Sequence, residues 1–161
     1  MKKFFIFLIG LIIGLTVFMP KKSLYFTLQH FLQKEKIYIN SEINSNIISL
    51  NLKNGTIFYK GIDAVKFKDV FIYPFLFFNS LKATNIDIDF GNLNISNLDI
   101  TYSIINPSKI YIKGDSNFGR IDGIVDLIDR KIKVYILNLS NSTLKAILRK
   151  DKKGYFYYEL F

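Results

Sequence analysis

The residues best equipped for acid–base or metal chemistry are few, and their spacing sends most of them to one face of a strand. The chain has a single histidine, His30, and no cysteine. Nucleophilic or general-base catalysis needs such groups clustered with a partner that orients them. His30 has no second histidine and no acidic cluster near it, which makes it a structural residue. The acids Asp87, Asp89, Asp99, Asp115, Asp122 and Asp126 mostly alternate with apolar residues, the pattern of a solvated strand face. Asp115 and Asn117 beside Gly114 could suggest a cation loop, but turn chemistry accounts for them better. There is no G-x-S-x-G, no H-E-x-x-H and no phosphate-binding glycine loop. These absences point away from an enzyme, and no catalytic, cofactor or metal residue is assigned.

Composition narrows the class further. The 161 residues carry a formal charge of +9, no tryptophan and 16% aromatic residues. Lacking cysteine, the chain can form no disulfide and no thiolate metal site. Its lysines are scattered through strand-like segments rather than gathered on one stripe, so nucleic acid is not the expected partner. The basic stretch LRKDKKGY, residues 148–155, reads as a solvated hairpin tip that could also touch anionic headgroups or a partner protein.

Three segments must position whatever surface the protein uses. Residues 1–22, MKKFFIFLIGLIIGLTVFMPKK, read as an uncleaved signal-anchor at the short limit for a spanning helix, with no small-x-small cleavage site. Lys2 and Lys3 balance Lys21 and Lys22, leaving little positive-inside bias. The export character of this start places the remainder outside the cytoplasm. Residues 23–36 read as an amphipathic helix with Ser23 as N-cap and Leu24, Leu28, Phe31 and Leu32 on one stripe. That stripe would cover a sheet or lie on a membrane. From Ile37 onward the period changes to two, giving a β domain over 37–161 of 125 residues, a normal size for one domain.

The turns order this domain into an antiparallel meander. Asn54-Gly55 predicts a two-residue hairpin loop pairing Leu52 with Ile57 and Leu50 with Tyr59. Gly91-Asn92 predicts another, placing Phe90 opposite Leu93 and Ile88 opposite Ile95. Within NIDIDFGNLNISNLDI, residues 85–100, the apolar parity flips a second time at Ser96-Asn97, where a β-bulge fits better than a turn. Asp129-Arg130 predicts a loop that sets Leu127 against Ile132, Val125 against Val134, Gly123 against Ile136 and Asp126 against Lys133. A last hairpin closes near Asp151–Gly154. One apolar face results, with Leu50, Leu52, Ile57, Ile88, Val125, Leu127 and Val134 as the candidate wall of a groove. A short helix cannot cover so many strands, so the sheet must curl, find a partner or hold acyl chains.

The order of elements resembles the AsmA-like superfamily of periplasmic β-rich proteins, in which the type II secretion system protein N is nearest in size. The resemblance rests on the anchor, the short helix, KNGTIFYKGIDAVKFKDVFIYPFLFFNSLKATNIDIDFGNLNIS and the closing GRIDGIVDLIDRKIKVYI. Phe58 or Tyr59 stands where the secretion family carries Trp. The resemblance implies a mainly β fold, a half-barrel or groove-like sheet, anchored singly in the bacterial inner membrane with its C-terminal domain in the periplasm. It also implies an accessory role in type II secretion or envelope biogenesis, with secretion-machinery or envelope proteins, or a phospholipid, as partner. A lipid-binding or lipid-relay module and a small outer-membrane barrel ending in Phe161 are the alternatives.

Overall fold

The computed structural model describes residues 2–89 and 92–161. Two helices, α1 (Lys2–Val17) and α2 (Lys21–Lys34), lead into β1 (Ile37–Ser45), β2 (Leu50–Tyr59), β3 (Ile62–Pro74), β4 (Phe78–Ile88) and β5 (Leu93–Ser103). Then come β6 (Lys109–Ser116), β7 (Gly119–Asp126), β8 (Lys131–Leu137), a short helix α3 (Ser142–Ile147), β9 (Arg149–Asp151) and β10 (Gly154–Leu160). The strands form one open antiparallel sheet of ten, in the order β1-β2-β3-β4-β5-β6-β7-β8-β10-β9. The meander breaks only at its end. There α3, capped by the Asn141 side chain on the Leu144 N–H at 3.1 Å, carries the chain outward before β10 returns beside β8.

The helices differ from the expected bounds for local reasons. Pro20, whose fixed φ suits a helix start, occupies the N-cap of α2, and Ser23 therefore lies inside the first turn. Lys21 folds back so that its Nζ donates to the Thr16 carbonyl at the end of α1, at 3.3 Å. Neither helix alone is long and apolar enough to cross a membrane. The two would qualify together by length and composition, but they are bent by 56° at the break. Tyr25 of α2 packs into the core, and Gln29 Nε2 donates to the Ile39 carbonyl of β1 at 2.9 Å. The stripe Leu24, Leu28 and Phe31 faces outward instead of covering the sheet.

The parity flip has a structural cause that runs across four strands. Neighbouring inward positions are normally two apart, but here they are three apart at Leu52–Gly55, Phe67–Val70, Ala83–Ile86 and Ile95–Leu98. The pairing sets Lys53 against Asp69 and Gly55 against Phe67, so Asn54 stands opposite Lys68. By the same reasoning Lys68 stands opposite Asn85, and Asn85 opposite Ser96. Each strand from β2 to β5 thus carries one extra residue on the same transverse row. The register slips where the row begins, between Asn40 and Glu42 of β1, and where it ends, between Ile95 and Asn97 against β6. A separate slip lies off the row, between Ile57 and Phe58 near the β2–β3 turn. Asn54 and Asn85 take positive φ, 47° and 49°, a region asparagine tolerates better than branched residues. The row is a crease that bends the sheet while keeping one face apolar.

Three hairpins close differently from expectation. β2 runs straight through Asn54-Gly55, and the turn falls at Lys60-Gly61, both with positive φ. That position lets Leu50, Leu52 and Ile57 share one strand against Ile72, Val70 and Val65. Between β4 and β5, Ile88 pairs with Leu93 and Ile86 with Ile95, two residues out of the expected register. Phe90 and Gly91, on which that expectation partly rested, lie outside the described residues.

Between β7 and β8 the loop is 127–130, so Asp126 faces Lys131, Val125 faces Ile132 and Gly123 faces Val134. Asp126 sets this turn by accepting from the N–H groups of Ile128 and Asp129, each at 3.1 Å. The Asp129 N–H in particular holds the Asp126 carboxyl below its ordinary pKa. A depressed carboxylate pKa contributes stability above the unfolded value of about 4 and loses it as pH falls through the lower folded value. Asp126→Asn should therefore be less stable than the parent at pH 7, with the difference shrinking towards pH 3 in urea titrations.

Candidate functional site

The inward face is one apolar wall. Of the residues expected to line a groove, Leu50 and Leu52 are buried, Leu50 to 2% exposure, in a cluster that includes Tyr25 of α2. Ile57, Ile88 and Val134 are half-buried and pack on the same cluster. Val125 is half-buried on β7 opposite Ile132. Leu127 is a correction: it leaves the strand for the 127–130 loop and is 42% exposed. Along the crease the wall is filled by its own side chains, Phe67, Val70, Ala83, Ile86 and Ile95.

The two ends of the strands are unlike. At one end, Phe118 in the β6–β7 turn folds inward and is buried with Leu139. Asn117 ties that turn to the neighbouring hairpin through Asn92 and Asn94, with bonds between 2.9 and 3.1 Å. The Ser140 N–H donates to the Phe118 carbonyl at 3.0 Å, and Leu144 and Leu148 of the α3 segment close the corner. The described loop tips at this end are polar: Lys60-Gly61, Asp89, Asn92, Asn117 and Lys152-Lys153. Tyr59 and Ile62 flank one of them and are exposed.

The opposite end collects every other loop of the meander. It presents Ile47 and Ile48 between β1 and β2, Phe77 between β3 and β4, and Phe78 at the start of β4. Ile104 and Ile105 stand between β5 and β6, Leu127 and Ile128 between β7 and β8, and Leu160 and Phe161 at the end of β10. Ile105 is 91% exposed and Ile128 78%. Phe161 belongs here because its N–H donates to the Arg130 carbonyl at 2.9 Å. Reading strands one at a time misses this rim. The signal lies in the turns: alternate loops of a meander share an end, and here alternate loops carry isoleucine, leucine or phenylalanine at their tips.

The polar face holds no comparable constellation. Lys133 lies 3.7 Å from Asp151 and stacks over Tyr135 and Phe156, at 4.7 and 4.6 Å from the ring centroids. Tyr135 donates to Asp151 at 2.9 Å, which leaves a neutralised surface cluster. The expected ion pair of Asp126 with Lys133 is replaced by this one. His30 is exposed on α2. Among the described residues no group of three or more His, Asp or Glu could hold a metal ion.

Fold and site together define a mainly β protein with one open, creased ten-stranded sheet, an apolar inner wall and an apolar rim at one end. No family model, no characterised protein and no solved structure matches the chain.

Proposed function

We propose that this protein is an accessory component of a type II secretion or envelope-biogenesis system, anchored singly in the inner membrane by α1, with its sheet in the periplasm. In this reading it recruits a protein partner along β1. The carrying observation is the contrast between a wall filled by its own side chains and an edge left open. β1 is nine residues long and pairs only with β2. The other edge, β9, is three exposed charged residues, Arg149, Lys150 and Asp151, which discourage strand addition. Gln29 occupies the Ile39 carbonyl and Tyr25 abuts the buried Ser41 hydroxyl, leaving the Glu42–Ser45 stretch for an added strand. Free edges at β1 and β9 also support an anchored sheet over a closed outer-membrane barrel, which would pair its first and last strands.

A lipid-binding reading has one observation in its favour. Near the apolar rim the wall is only half-buried, along the paired row Ile72, Leu81 and Ile100 and at Val125 and Ile132. Photocrosslinking residues at Glu42 and at Ile100, introduced separately in the membrane-bound full chain in cells, separate the two. A discrete protein adduct at Glu42 with none at Ile100 is expected. Lipid adducts at Ile100 with no adduct at Glu42 would replace the edge reading with lipid binding.

A further inference from the structure

We infer that the apolar rim is a membrane-docking surface, which seats the sheet end-on in the interfacial layer of the bilayer beside α1. The proposal goes beyond partner recruitment and rests on the anchoring of α1. A helix of 16 residues spans only ~24 Å, short of a hydrocarbon core of ~30 Å. A short span draws its flanking segments towards the membrane. Here the β3–β4 loop of the rim lies beside the exit of that span. Leu76, in the β3–β4 loop, lines a shallow surface cavity with Gly10, Leu11, Gly14, Leu15 and Phe18 of the helix and its exit.

Helix geometry turns that neighbourhood into a depth. Gly14 and Gly10 precede Phe18 by roughly 6 and 12 Å along the axis. An interfacial element buries its apolar side by ~5–10 Å. If α1 enters the bilayer to Phe18, the β3–β4 loop lies at that depth as well. The other tips at this end match it in chemistry, with Ile48, Ile105 and Ile128 exposed beside Asn46, Asn106 and Arg130, which suit the headgroup level. Among the described residues, the far end is plugged by Phe118 and tipped mainly by lysine and asparagine, with exposed Tyr59 and Ile62 flanking a single tip. The total accessible area of 11041 Å² exceeds the roughly 8,300 Å² expected for a folded monomer of this mass, as an unburied α1 and an open sheet require.

The chain contains no tryptophan, so single substitutions report one position each. Full-length Ile105→Trp and Ile128→Trp would be reconstituted in phosphatidylethanolamine–phosphatidylglycerol vesicles with brominated acyl chains. Leu11→Trp reports on the anchor and Lys60→Trp on the far end. Docking predicts that bromine quenches the two rim reporters and Leu11→Trp roughly twofold or more, while Lys60→Trp keeps its emission. Quenching at Leu11→Trp alone would overturn docking and leave the anchor intact. Rim quenching with an unquenched Leu11→Trp would put the rim in lipid without α1, overturning the seating beside the anchor and the anchored reading on which it rests. Concentration-dependent blue shifts at the rim without quenching would assign it to protein contact and also overturn the proposal. The rim sites are exposed, so sheet circular dichroism should match the parent in each variant.

Discussion

Gly119→Ala is expected to lose about 3 kcal/mol or more of unfolding free energy, measured by urea titration. Gly119 adopts φ +145°, which side chains rarely occupy. A Cβ there would also stand 2.5 Å from the Leu137 carbonyl oxygen and 2.9 Å from Ile136 Cγ2. Neither can retreat cheaply. Leu137 and Ile136 are paired with Arg120 and Ile121 in the β7–β8 ladder, and Ile136 is buried. Moving the turn instead would withdraw Phe118, which plugs this end of the wall. Strain and clash therefore add, and the sum is a large share of the roughly 5–15 kcal/mol that holds a domain together. Gly61→Ala is the comparison. Gly61 also has positive φ, +83°, but nothing lies within 4 Å of its Cβ position. It should cost only about 1 kcal/mol. Equal losses at the two positions would show that backbone conformation alone matters and that the end plug contributes nothing.

The second large effect lies at the crease. Gly55 sits beneath the ring of Phe67, its partner across β2 and β3. A Cβ at Gly55 would stand 2.0 Å from Phe67 Cζ and within 2.6 Å of both Cε atoms. Phe67 is 6% exposed and packed among the core residues, so the ring has little room to swing away. Gly55→Ala should cost about 2–3 kcal/mol by overpacking. Phe67→Leu should cost about 1 kcal/mol or somewhat more, as an imperfect volume match. The double variant Gly55→Ala/Phe67→Leu should be more stable than the two losses added together, because the smaller side chain removes the clash. Simple additivity in urea titrations would mean that the ring does not press on Gly55 in solution.

These two glycines also show where sequence reading succeeds and where it stops. Asn54-Gly55 has the composition of a hairpin turn, and Lys60-Gly61 does not stand out beside it. Both dipeptides supply the positive φ a tight turn needs at one or more positions, and local preference cannot rank them. The choice is made by the neighbouring strand, where Phe67 covers Gly55 and pairing continues to Tyr59 and Ile62. Registers two residues out at Ile88 and at Val125 have the same origin. A slip of two keeps every apolar side chain on its face, so alternation along the strand cannot detect it. What decides the β7–β8 register is the Asp126 carboxylate gripping two turn amides. The bulge at Ser96 was legible because a slip of one changes the face.

What the sequence determined by itself is therefore set by local periodicity. It specified an apolar helix at the start, a second short helix, period-two strands from Ile37 onward and antiparallel succession through short loops. It also specified which side of each strand is apolar, because burial selects side-chain parity directly. Only the tertiary structure decided the rest. It aligned single extra residues on β2, β3, β4 and β5 into one crease, turned the Leu24–Leu28–Phe31 stripe of α2 outward, and inserted β10 between β8 and β9. Above all, it gathered the isoleucines of separate loops at one end. Each tip is an unremarkable apolar pair in its own segment, and only strand order and direction, which depend on pairing between distant residues, make them a common surface.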